Sequence, residues 1–180
     1  GYPTRFTFDD TGTTAMAEGP EAGLDHHRVA VLTIRAFLLG ALAFDPQGEL
    51  CAMDWLTFPE QRLRSVTAGQ VFHDGLGELE AVRARLAYYP RDVWLYLLAA
   101  QWRRIGQEEA FMGRCGQVGD ELGSRLVAAR LVHDLMKLCF LMERQYAPYS
   151  KWFGSAFAQL ACAGELSASL TGAVSAGFFC

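Results

Sequence analysis

Apolar positions along the chain change period several times, and each change predicts an element. His27 to Thr33, HRVAVLT, alternates like a half-buried strand, and TRFTFDD near the start suggests another short one. Ile34 to Leu42 turns to helical spacing and is broken at Phe44-Asp45-Pro46. Asp54 to Val66 is helical again, with Pro59 either in a first turn or separating two short helices. Gln70 to His73 reads as a strand closed by Asp74-Gly75, and Glu78 to Tyr88 as a helix. Beyond Pro90 the pattern is all helix. Asp92 is positioned to cap a helix through Met112, and Asp120 a second one to about Tyr146. Gly113, Gly116 and Gly119 recur every third residue between them, either as a connector, the favoured reading, or as a small-residue face. Pro148 then stops the chain before a helix from Ser150 to Ala163, and Ser167 to Cys180 is a weakly amphipathic tail expected to fray. Gly1 to Leu24 otherwise has no sustained period and reads as a loop or lead-in, and its start at Gly1 suggests a fragment.

Composition narrows the functional classes. A chain of 180 residues with 51% apolar and 20% charged residues can bury a core. Net charge is −4, and no Lys/Arg block is present to displace counterions from a phosphate backbone, so no nucleic-acid partner is expected. Five scattered cysteines without C-x-x-C spacing fit reduced thiols, and no apolar run is long enough for a membrane span; a cytoplasmic location is the expectation.

Candidate chemistry concentrates between Gln101 and Lys151. Gln101, Arg104 and Glu108 share a helical face, with Arg104 and Glu108 spaced to pair, and Glu109 lies on the adjoining face. Two carboxylates and a guanidinium could coordinate a metal or position a polar substrate, with Glu108 or Glu109 as catalytic base; a solvated ion-pair face is the plainer alternative. Arg114, Asp120, Ser124 and Arg130 form a second group, in which arginine's planar fork suits phosphate or carboxylate while Asp120 also serves as a simple cap. Lys151, beside Tyr149 and Ser150, is a phosphate contact or an exposed helix-start lysine. The four histidines lack zinc spacing, so no metal ligand is expected, and phosphate-loop, nucleophile-elbow and dinucleotide-binding glycine motifs are missing.

The segments DWLTFPEQ, TAGQVFHDGLGEL, YYPRDVWLYLLAAQW, QEEAF, GDELGSR and ERQYAPYSKWFGSAF together resemble the bacterial family known as domain of unknown function 4037, whose members look like nucleotidyltransferases with a helical C-terminal half. The likeness runs from Arg28 to Leu160. It implies an α+β, mostly α fold. A remnant of a nucleotidyltransferase-like α/β sheet would occupy 1–89, and a helical domain lining the substrate side 90–180. Such enzymes hold magnesium on an Asp-x-Asp pair after a Gly-Ser turn. This sequence has no Asp-x-Asp, and Gly123-Ser124 and Gly154-Ser155 lie in the helical half. The resemblance therefore implies a nucleotide- or acceptor-binding part that is inactive alone, with magnesium and a nucleoside triphosphate engaged only in a complete protein. Gln101, Arg114, Asp120, Ser124, Arg130 and Lys151 would supply the substrate contacts. The alternative is a non-catalytic helical interaction module.

Overall fold

A computed structural model describes residues 6–8, 14–16, 31–45 and 48–175. They fall into two compact units, Gly1–Thr33 and Ile34–Cys180. In the first, β1 (Phe6–Phe8) pairs antiparallel with β2 (Thr14–Met16), Phe6 opposite Met16 and Phe8 opposite Thr14. The strand suggested by TRFTFDD is thus present. Most of the expected strand at His27 to Thr33 lies outside the described residues, and Val31 to Thr33 carry no strand.

The second unit is helical. Its elements are α1 (Ile34–Leu42), α2 (Ala52–Thr57), α3 (Glu60–Thr67), α4 (Glu78–Arg85), α5 (Arg91–Gln117), α6 (Glu121–Met142), α7 (Ser150–Phe157) and α8 (Ala163–Ser175). Local chemistry sets most of the boundaries. Pro59 separates α2 from α3 and sits at the N-cap of α3, where its missing N–H is no loss. Asp120 caps α6 by accepting the Gly123 N–H at 2.8 Å. Asp92, by contrast, lies in the first turn of α5, and Pro90 is the N-cap. Gln70 to His73 form no strand: among the described residues no second segment pairs with their backbone, and Phe72 is 90% exposed.

Three helix ends depart from the periodicity. α5 continues through Gly113 and Gly116 to Gln117, and the connector is confined to 118–120, where Gly119 takes φ +74°. A Cβ at Gly113 would meet nothing within 4 Å, so no backbone of the described residues is closely packed there. α6 ends at Met142, short of Tyr146, because Arg144 adopts φ +52°. The Arg144 and Gln145 N–H groups then fold back on the carbonyls of Leu141 and Phe140, the paired bonds that close a helix around a left-handed residue. The helix expected over Ser150 to Ala163 is divided in two. The Glu143 carboxylate accepts the N–H groups of Ala161 and Cys162, both at 2.9 Å, and fixes the turn that starts α8. Of the expected frayed tail, Ser167 to Ser175 is helical and 176–180 lie outside the described residues.

Two apolar clusters hold the helices together. Leu38, Leu42, Trp55, Leu63, Leu86, Val93 and Tyr146 join α1 to α5 and the loop after α6. Phe140, Phe153, Phe157, Leu160 and Ala163 join α6, α7 and α8. Full burial of a side chain such as Leu63 or Phe140 contributes about 1.5–3 kcal/mol. No helix among the described residues is long and apolar enough to cross a membrane.

Candidate functional site

α5 and α6 form an antiparallel hairpin whose contact seam is polar at four points. Gln101 Nε2 donates to the Asp134 backbone oxygen at 2.9 Å, and Arg104 Nε to Asp134 Oδ2 at 2.7 Å. Further toward the tip Arg130 Nη2 donates to Glu108 Oε2 at 2.6 Å, and Ser124 Oγ to the Met112 carbonyl at 3.0 Å. Asp134, Ser124 and Gln101 are buried. The hydrogen bond from Arg104 to the Asp134 carboxylate, with their mutual attraction, raises the guanidinium above its ordinary pKa. The expected Arg104 to Glu108 pair is replaced by these two cross-helix pairs, because the facing helix offers each group a partner at shorter reach than one turn along α5. Gln101, Glu108, Ser124 and Arg130 therefore fasten the hairpin, and Asp120 caps its second helix.

Glu109, Arg114 and Lys151 are placed differently. All three are exposed, and among the described residues none makes a hydrogen bond or ion pair. Arg114 lies 5.6 Å from the Phe111 ring centroid and Lys151 5.0 Å from that of Trp152. On the solvent side of α5, Glu109 is accompanied by Leu95, Ala99, Trp102, Gly106, Ala110 and Gly113, all exposed and three or four residues apart.

A second arrangement lies at the other end of α6. Glu60 and Arg64, one turn apart on α3, grip a single peptide group: the Glu60 carboxylate accepts the Ala147 N–H at 2.9 Å, and Arg64 Nη1 donates to the Tyr146 carbonyl at 2.6 Å. Burial pushes the Glu60 carboxyl up, opposed by the Ala147 N–H, Lys137 and Arg64. The rings of Tyr88, Tyr89 and Tyr146 meet beside it at centroid distances of 5.0–5.1 Å, and burial followed by the charge of Glu60 pushes the Tyr88 and Tyr89 phenols up. The clamped loop carries Arg144 and Gln145 to a cleft of about 430 Å³, lined also by Arg64, Thr67, Glu80 and Arg83. Arg83 Nη2 donates to the carbonyls of Thr67 at 2.5 Å and Gly69 at 2.8 Å. The Arg144 guanidinium lies 4.2 Å over the Trp94 ring.

The family model described as Domain of unknown function (DUF4037) matches residues 55–153, more than half of the chain. The chain belongs to this family. No curated protein and no solved structure matches it. The family segment runs from the end of α2 into α7, so the hairpin seam, the Glu60–Arg64 clamp and the arginine cleft all lie within it. The function of the family is uncharacterised.

None of the eight residues singled out by spacing lines the cleft. Glu60, Arg64, Arg83 and Arg144 were missed because their relation is made by the fold: Arg64 and the carbonyl it holds are 82 residues apart. The available signal lay in the quoted segments, since FPEQ carries Glu60 and ERQYAPY carries Arg144, Tyr146 and Ala147. Among the described residues, no group of three or more His, Cys, Asp or Glu side chains is arranged to hold a metal ion.

Proposed function

We propose that this chain is the helical, substrate-side part of a bacterial, cytoplasmic nucleotidyltransferase-like protein, with its first 89 residues derived from the α/β sheet of that fold. The observation that carries the reading is the solvent side of α5 and the hairpin tip. There Glu109 and Arg114 have no hydrogen-bonding or ionic partner among the described residues, and Trp102 is 56% exposed in a stripe with Leu95, Ala99, Gly106, Ala110 and Gly113. An exposed stripe of small and apolar residues is suited to a covering surface. The half that would cover it in such a protein carries the Asp-x-Asp pair with magnesium and a nucleoside triphosphate. Glu109 would then act as base or polar clamp for an acceptor hydroxyl, and Arg114 and Lys151 would hold phosphate or an anionic acceptor. Gln101, Glu108, Ser124 and Arg130 would support them by fixing the hairpin, and Asp120 by capping it.

The test is nucleoside triphosphate binding with magnesium in a protein carrying both halves, compared with Glu109→Ala and Arg114→Ala. Both side chains are exposed, so folding should be unaffected while binding of nucleotide or acceptor weakens about tenfold, the equivalent of about 1.4 kcal/mol. Unchanged binding of both ligands in both variants would sink the reading. One observation favours the alternative of an interaction module: Glu109, Arg114 and Lys151 do not join the arginines in the cleft but stand apart from it. On that reading the same substitutions weaken capture of a partner protein and leave nucleotide untouched.

A further inference from the structure

We propose that the cleft between α3, α4 and the loop after α6 is a binding site for a phosphate-bearing small molecule, held by the guanidinium groups of Arg64 and Arg144. This goes beyond the nucleotidyltransferase reading and does not rest on it. Three arginines, Arg64, Arg83 and Arg144, line the cleft against one carboxylate, Glu80. Their hydrogen bonds divide the work. Arg83 uses Nη2 on the carbonyls of Thr67 and Gly69 and approaches Glu80 with Nη1 at 3.6 Å. It thereby neutralises the carbonyl-rich end of α3, which would otherwise repel an anion. Arg64 has engaged one donor, on the Tyr146 carbonyl, and its planar fork keeps the others. The Arg144 guanidinium makes no hydrogen bond among the described residues; its face rests on Trp94, which leaves its N–H edges for a ligand.

The backbone supplies an independent argument. Arg144 occupies a left-handed position at the end of α6, with φ +52°, where glycine is the residue that fits without strain. An arginine held there is explained by what its side chain does, and the placement of that side chain against Trp94 and the cleft is the visible result. The loop that carries it is held by the two hydrogen bonds of the Glu60–Arg64 clamp on the Tyr146–Ala147 peptide, and the bond from Arg64 ties the two ligand-binding arginines to each other. A volume of about 430 Å³ suits a phosphomonoester of modest size. Phosphate answers to two guanidinium forks by paired N–H···O bonds.

Inorganic phosphate and pyrophosphate are the probes, followed by the broadening of their phosphorus resonances on titration with the 180-residue chain at constant ionic strength. The expected result is saturable binding that weakens tenfold or more in Arg144→Gly, a variant that relieves the left-handed backbone and so keeps its melting temperature. If that variant fails to fold, Arg144→Lys serves: charge is retained, the fork is lost, and binding weakens by a smaller factor. Glu109→Ala should bind phosphate normally, which separates this site from the face of α5. No saturable broadening, binding unaltered in the Arg144 variants, or displacement of phosphate by equimolar acetate would each overturn the assignment.

Discussion

Removing Arg104 should destabilise the protein more than removing Asp134, although the two form one ion pair. Arg104 Nε and Asp134 Oδ2 are 2.7 Å apart, but their surroundings differ: the Asp134 side chain is 5% exposed and that of Arg104 55%. With Arg104 truncated to alanine, a buried carboxylate loses its charged donor, and among the described residues only His133 Nδ1, at 3.8 Å, remains near the other oxygen. Breaking a fully buried pair from one side costs about 3–5 kcal/mol. The half-exposed partner lets water reach the vacated position, which lowers the expectation to about 2–3 kcal/mol. With Asp134→Ala the guanidinium swings into solvent, so only a small cavity and the lost bond are felt, about 1–2 kcal/mol. The double variant should then be more stable than Arg104→Ala alone. Urea unfolding of the four proteins measures this directly, and at roughly 2–4 °C per kcal/mol a thermal melt resolves the order as well. Additive losses, or an Asp134→Ala loss equal to or larger than that of Arg104→Ala, would refute the reasoning.

Two further expectations concern the carboxylates that organise the loop after α6. Burial raises the Glu60 pKa, so its contribution grows as pH falls through the folded-state value toward the ordinary carboxylate range and is lost as pH rises. Glu60→Gln keeps an acceptor for the Ala147 N–H, and urea unfolding should find it as stable as the native chain or up to about 1 kcal/mol more stable at pH 7.5, an advantage that disappears near pH 4; an equal loss at both values would contradict this. Glu143 behaves oppositely. The N–H groups of Cys162 and Ala161 lower its pKa, so its stabilising effect is present above about pH 4.3 and lost as pH falls through the folded value. Glu143→Ala should speed amide hydrogen exchange in the first turn of α8 at pH 7 and abolish the acid dependence there; unchanged protection would show that the carboxylate does not hold that turn.

Signals that act over a few residues were legible in the sequence. α1 spans Ile34–Leu42 as its spacing predicts, Asp120 caps α6, and Pro59 divides α2 from α3, because caps and prolines act on their immediate neighbours. Boundaries decided by tertiary contacts were not. The run from Gln70 to His73 has strand-like residues but no partner strand among the described residues, and α5 passes through three glycines because its pairing with α6 outweighs their helix penalty, about 1 kcal/mol each.

The same distinction explains the candidate site. Helical spacing identified Gln101, Glu108, Ser124 and Arg130 as unusual, since polar groups on an apolar helix demand partners, but spacing along one helix cannot say whether the partner is a ligand or the next helix. Here it is the next helix, and the bonds from Gln101 to Asp134 and from Arg130 to Glu108 meet that demand within the fold. What a ligand would use must instead retain unengaged donors or acceptors after folding. By that criterion Glu109, Arg114 and Lys151 on exposed positions, and Arg144 with the free edge of Arg64 in the cleft, are among the groups left over in the described residues. The first set is open to solvent and needs a second surface to become a site. The second already shares one surface cleft, and its Arg144 stands in a backbone conformation that glycine would adopt more readily. Substitution of Arg144 therefore separates ligand binding from folding more cleanly than any change in the α5–α6 seam, where each polar side chain serves the fold first.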